Sequence, residues 1–509
     1  MDLFESTLIL LVIAVALVRV ADRLAMPYPS MLALAGGCVA AIPGMPTLSL
    51  EPHFVLALFV APAALDAAYE LPLREIRRNW VPLTSLAVLL VMATAGAVAW
   101  FACTVGAMPV AAAVALGAIV APPDAAAATA VLQRFNLPRR AVSVLQGESL
   151  LNDAVALLIF GVAVGLESGK HGASATLPSL LIAVPGGIAL GLALGALGVF
   201  ASRKLAGSPT AIIYQFVGTF GAWLLADRLH LSSIMAVVAL GMVSARYVPA
   251  RMGAHDRVNA NAVWAVIVFV LNVLAFLLMG LQARAIVTDL DPNGLRNALI
   301  FAGAVLAIVI VVRIVWVMAY GWLVRKFAAR RKGESGGGLA APGARVGLLV
   351  SWCGMRGLVT LATALALPDD FPSRNVIVLS AFAVVLGTLI FQGLTMSALI
   401  GWLDIAPDES LGDELRRVRN AMLREALAAL EGKRGEAADA LRSGFAQSLA
   451  RTETKDTEPS ESTAMRLAAI EAQRRLLIEW RDDERLDDDV FHRLESELDW
   501  AEIDARAAG

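Results

Sequence analysis

Six ionisable side chains stand inside long apolar runs of this chain: Asp66, Asp124, Glu148, Asp153, Arg313 and Arg356. In hydrocarbon such groups are costly, and those that persist usually line a cavity or an ion path. Four acids and two bases cannot cancel one another if all six are ionised, so at least two acids carry a proton or face a cation. A carboxylate in such a cavity holds a proton or a metal ion in turn, and not both.

The local patterns around these groups sharpen that chemistry. Pro122 and Pro123 precede Asp124; two prolines remove two backbone donors and clash with the preceding turn, so a helix breaks there. A break at membrane depth lines a cavity and frees carbonyls, here at Pro122 and Pro123, as cation ligands. In Gly147-Glu148-Ser149-Leu150-Leu151-Asn152-Asp153, helical spacing stacks Ser149 under Asp153 and Glu148 under Asn152 on an adjacent face. A hydroxyl below a carboxylate offers two hard oxygens to a small cation. In Trp352-Cys353-Gly354-Met355-Arg356-Gly357, glycines flank a permanent guanidinium and permit local unwinding. Arg356 needs an anionic partner, and a bidentate pair with Glu148 would satisfy both. Arg313 also requires a partner, which the sequence does not name.

Helices must position these groups. Hydrophobic residues make up 58% of the 509 and charged residues only 17%, against roughly a quarter charged in soluble domains. That balance disfavours a soluble enzyme, a disordered chain or a nucleic-acid binder. With about 20 apolar residues per crossing, 13 spans are predicted: 6–24, 30–43, 53–70, 80–104, 109–132, 141–166, 177–202, 209–228, 231–248, 260–282, 297–325, 345–367 and 374–402. The acidic start, Met1 to Glu5, reads as the beginning of a retained helix. Alternate loops carry 19 Lys/Arg against five in the opposite set, which places the N-terminus outside and the C-terminus in the cytoplasm and favours an odd number of spans. Gly187, Gly191 and Gly195 form a small-residue face in the seventh span, for packing within the chain or between copies. The cysteines at 38, 103 and 353 read as small buried side chains, and the five histidines do not suggest a metal site.

Two domains follow: a membrane domain over 1–404, with 26 Lys/Arg against 19 Asp/Glu, and a helical cytoplasmic tail over 405–509, with 16 against 25. Thr452–Ser462 reads as a flexible linker within the tail.

The three motifs, Pro122-Pro123-Asp124, Gly147 to Asp153 and Trp352 to Gly357, make residues 5–403 resemble the monovalent cation/proton antiporters, which include bacterial sodium/proton antiporters and animal sodium/proton exchangers. The resemblance implies an all-α polytopic fold of two inverted repeats, with two broken helices crossing at mid-membrane. A core domain would slide against a scaffold that forms a homodimer. Asp153 would carry the cation or the proton, Asp124, Ser149 and Asn152 would complete the site, and Glu148 with Arg356 would form a structural ion pair. Asn152 stands where electrogenic relatives have a second aspartate, so electroneutral exchange of one cation for one proton is implied. Many relatives have Thr-Asp-Pro where this chain has Pro123-Asp124-Ala125, which removes one oxygen from the implied ion shell.

The expectation is therefore a transporter and not an enzyme, without cofactor, embedded in the lipid of the cell membrane and exchanging Na⁺, or alternatively K⁺ or Li⁺, for H⁺. No phosphate loop is apparent, so ion gradients would supply the drive. An intramembrane aspartyl protease built on Asp124 and Asp153 would need neither the Ser/Asn set nor a buried arginine. A cation channel also suits broken helices but cannot concentrate its ion, and a non-transporting sensor would not need Asp153.

Overall fold

The computed structural model describes residues 2–23, 28–40, 54, 56–70, 73–124, 139–167, 173–205, 210–281, 292–330, 343–404, 410–454, 461–483, 485 and 488–508. All regular structure among them is helical. The chain forms two compact units, Met1–Pro407 and Asp408–Gly509.

The first unit runs α1 (Asp2–Arg23), α2 (Tyr28–Ala40), α3 (Ala61–Glu70, entered through a π-wound stretch Leu56–Val60), α4 (Leu73–Arg78) and α5 (Trp80–Thr104). Then come α6 (Val110–Val120), α7 (Arg139–Glu167), α8 (Ala173–Leu205), α9 (Thr210–Arg228), α10 (Ser233–Tyr247) and α11 (Ala254–Leu281). It closes with α12 (Pro292–Arg330), α13 (Ala344–Trp352), α14 (Leu358–Leu365) and α15 (Arg374–Leu403). Among the described residues six helices are long and apolar enough to cross a membrane, and four shorter apolar helices accompany them. Six spans of this kind make the chain a multi-pass membrane protein.

Two large apolar bodies of packed side chains dominate this unit, with two smaller clusters beside them. One is built around Leu116, Val309, Leu349 and Val385 of α6, α12, α13 and α15. The other is built around Leu65, Trp223, Val237 and Trp264 of α3, α9, α10 and α11. Helix α7 contributes to both, Val144 and Leu145 to the first and Leu150 and Ala154 to the second. Its polar motif therefore stands between them. The glycine face of α8 packs within the chain: a Cβ on Gly191 would lie 2.8 Å from the Ala239 Cβ, and one on Gly195 2.9 Å from that of Val243, both on α10.

Two helices are interrupted, and each break has a local cause. α6 stops at Val120, and residues 121–124 continue outside helix. Pro122 and Pro123 have no N–H to return to the preceding turn, and the N–H of Asp124 donates to Met355 O at 2.7 Å. The second interruption, residues 353–357, separates α13 from α14. The Asp124–Met355 bond thus ties the two breaks together. Residues 125–138, which hold the rest of the fifth predicted span, lie outside the described residues.

The second unit contains α16 (Ser410–Ala429), α17 (Glu436–Thr454), α18 (Glu461–Asp482) and α19 (Asp488–Ala508). α16 packs with α17, and α18 with α19. Of the predicted linker at 452–462, residues 452–454 finish α17 and 461–462 open α18, while 455–460 lie outside the described residues. Around Arg474, which binds Asp499 and Glu502 at 2.8 Å each, the second pair buries Ile470, Leu477 and Phe491.

Candidate functional site: a carboxylate-lined cavity at two helix breaks

A cavity of about 390 Å³ opens beside the crossing of the two breaks. Asp66 on α3, Asp124 at the first break, and Ser149 and Asp153 on α7 all line it. So do Pro122, Pro123 and Gly357. Three carboxylates share this space, and among the described residues that line it none is basic. Four other polar lining residues, Tyr28, Gln146, Asn272 and Thr360, were not expected from the sequence. Gln146 had a signal, since it precedes Ser149 by three residues and Asp153 by seven, which is one helical face. Asn272 had another, as a lone amide within the apolar run of α11.

The two faces of the α7 motif have separate tasks. Ser149 and Asp153 look into the cavity, whereas Glu148 and Asn152 are buried at 1% and 0% exposure. Asn152 Nδ2 donates to Pro123 O at 3.0 Å, so its amide grips the first break from behind. The Asn152 Oδ1 is buried, with no hydrogen-bond partner among the described residues. Asn152 is not among the cavity-lining residues.

The expected pairing of Glu148 with Arg356 is corrected by the structure. Glu148 is held by Arg313 of α12: Nη1 donates to Oε1 and Nη2 to Oε2, the latter at 3.0 Å. Arg313 also donates to Ser351 O and Val350 O, each at 3.2 Å. Both partners are 1% exposed, and the bidentate geometry with added carbonyl acceptors is what a buried ion pair requires. Arg356 satisfies its guanidinium on carbonyls instead: Nε on Val120 O at 3.1 Å, Nη2 on Ala121 O at 3.0 Å, and Nη1 on Gly354 O. The first two are the carbonyls that end α6, where a helix carries partial negative charge. Asp124 has sent its N–H to Met355, so Val120 O is available for the arginine. The backbone N–H of Arg356 is anchored on Thr388 Oγ1 at 3.0 Å.

Carbonyls freed by the first break are therefore largely taken by the protein's own donors: Val120 and Ala121 by Arg356, and Pro123 by Asn152. The expected role of the Pro123 carbonyl as a cation ligand competes with that amide. The glycines of the second break serve close approach and not an unusual backbone, for Gly357 is extended at φ −134°. A Cβ there would run into the Asp124 carboxylate, 2.7 Å from its Cβ. A Cβ on Gly354 would stand 2.6 Å from Arg313 Nε and 3.1 Å from Arg356 Nη1.

The arrangement is a concave acidic site between two packed bodies, braced by two internally satisfied arginines. It can take up a cation or a proton at carboxylate oxygen. Comparison with known proteins adds the following. The family model described as "Sodium/hydrogen exchanger, transmembrane" matches residues 8–402. An uncharacterised Na⁺/H⁺ exchanger of Mycobacterium tuberculosis is 31% identical over 97% of this chain and 96% of its own length. The Na⁺/H⁺ antiporter NhaH of Halobacillus dabanensis is 27% identical, covering 78% of this chain and 97% of that protein. The solved structure of the sodium/proton antiporter MjNhaP1 of Methanocaldococcus jannaschii matches in fold with a TM-score of 0.60 at 18% identity, over 80% of this chain and 99% of that one.

Proposed function

Because the chain belongs to the transmembrane sodium/hydrogen exchanger family, a family of secondary transporters, we propose that it exchanges Na⁺ for H⁺ across the cell membrane by alternating access. The observation that carries this reading is the cavity that Asp66, Asp124 and Asp153 line together, with no base among the described lining residues. Asp153 is the shared carrier, with Ser149 on its own helix face and Asp124 across the break as further oxygen ligands. Asp66 brings a third carboxylate from α3.

Glu148 and Asn152 act behind the site. With Glu148 neutralised by Arg313 and Arg356 seated on carbonyls, ion exchange involves only the cavity acids. One cation then replaces one proton, and the exchange is electroneutral. The loop arginines orient the N-terminus outward and the tail toward the cytoplasm, and two copies form the working dimer.

The test is a proteoliposome assay with a trapped pH dye and additions of NaCl, KCl or LiCl. Na⁺ produces a dye response in the unaltered protein, and Asp153→Asn abolishes it. A persisting Na⁺ response in Asp153→Asn overturns the assignment. Accumulation of the cation against its gradient separates exchange from a channel.

A further inference from the structure

Helix α11 turns five residues to the carboxylate cavity: Val268, Phe269, Asn272, Ala275 and Phe276. The helical repeat brings them to one side, and Asn272 is the only polar residue among them. An amide inside a membrane helix ordinarily hydrogen-bonds a neighbouring helix. Among the described residues none forms a hydrogen bond with the Asn272 side chain. Its carbonyl oxygen is therefore uncommitted, and the amide is free to turn it inward. The carbonyl of Pro123, by contrast, already accepts from Asn152.

A neutral oxygen acts differently from the acids around it. The titratable groups among the described lining residues are Asp66 of α3, Asp124 at the first break, Asp153 of α7 and Tyr28 of α2. A carboxylate serves a proton and a metal ion alike. An amide oxygen coordinates a hard cation but does not titrate. It raises the affinity for metal and leaves the affinity for protons as the acids set it. On the premise of the exchange reaction, we propose that Asn272 is a cation ligand that sets the preference of the site for Na⁺ over H⁺.

Initial rates of Na⁺-driven pH change in proteoliposomes, over a series of NaCl concentrations at several pH values, test this. Asn272→Leu deletes the oxygen at similar volume, and Asn272→Ala deletes it without a branched side chain that could obstruct the cavity. Both variants should raise the Na⁺ concentration for half-maximal rate by roughly tenfold or more, the size of a lost contact between an amide and a charge. The maximal rate should be retained, and so should the pH below which protons begin to compete. An unchanged half-saturation point in Asn272→Ala overturns the proposal, since a rise in Asn272→Leu alone is obstruction. A shift of the competing pH also overturns it, because the amide would then serve a carboxyl as a hydrogen-bonding partner. Either result leaves exchange itself intact. Failure of the exchange reading shows instead as no Na⁺ response in the unaltered protein, or as one that survives Asp153→Asn.

Discussion

At the residue scale, the six intramembrane charges divide into two kinds. Glu148 and Arg313 neutralise one another in a buried bidentate pair, and Arg356 is consumed by the carbonyls that end α6 and by Gly354. Asp66, Asp124 and Asp153 remain at the cavity. Substituting the first kind should damage folding, and substituting the second should damage transport. Glu148→Gln leaves Arg313 buried without a counter-charge, a change that costs about 3–5 kcal/mol. A large fall in the detergent melting temperature of Glu148→Gln is expected, with Asp153→Asn melting near the unaltered protein. Equal melting of Glu148→Gln and the unaltered protein would refute the structural role of the pair. The sequence had named all six charges, because a charged residue in an apolar run needs no tertiary information to be recognised. It could not choose between the two arginines for Glu148, since both lie more than 160 residues away and only packing decides which helix arrives.

At the scale of elements, both breaks were legible from their prolines and glycines, whereas the devices that hold them were not. Helical periodicity put Asn152 beside Glu148 but could not show its amide turned to Pro123 O. The four additional polar lining residues come from α2, α7, α11 and α14, which meet only in the folded chain. Two substitutions probe the crossing. Gly357→Ala drives a methyl group into the Asp124 carboxylate, so Na⁺-driven exchange should fall by at least tenfold, equivalent to about 1.4 kcal/mol. Gly303→Ala, at a position with open space around it, should leave the rate unchanged. Asn152→Asp exchanges the donor to Pro123 O for a group that repels it. Loss of exchange is expected there, read as dye response in liposomes, and a faster, voltage-driven response would show that a second acid serves as a carrier and not as a disruption.

At the scale of the whole molecule, the placement of charge fixes what a transport cycle can move. The α7 motif stands between two apolar bodies, and its cavity face carries the hydroxyl of Ser149 and the carboxyl of Asp153. If Asp153 exchanges a proton for a cation, the charge of the site is the same in both loaded states, and crossing the membrane in either one transfers the same charge in opposite directions. Clamping the membrane potential at zero with K⁺ and valinomycin should therefore leave the rate of Na⁺-driven pH change unaltered, with KCl present equally on both sides. The same shared site makes protons competitors of Na⁺. Where protons saturate the site, each unit fall in pH should raise the Na⁺ concentration for half-maximal rate by roughly tenfold while the maximal rate is retained, as mass action on one carboxylate requires. Initial rates in liposomes over a series of NaCl concentrations at several pH values measure both effects. A maximal rate that collapses at low pH with an unchanged half-saturation point would mean that proton and cation occupy separate groups, and Asp124 or Asp66 would then have to carry the proton.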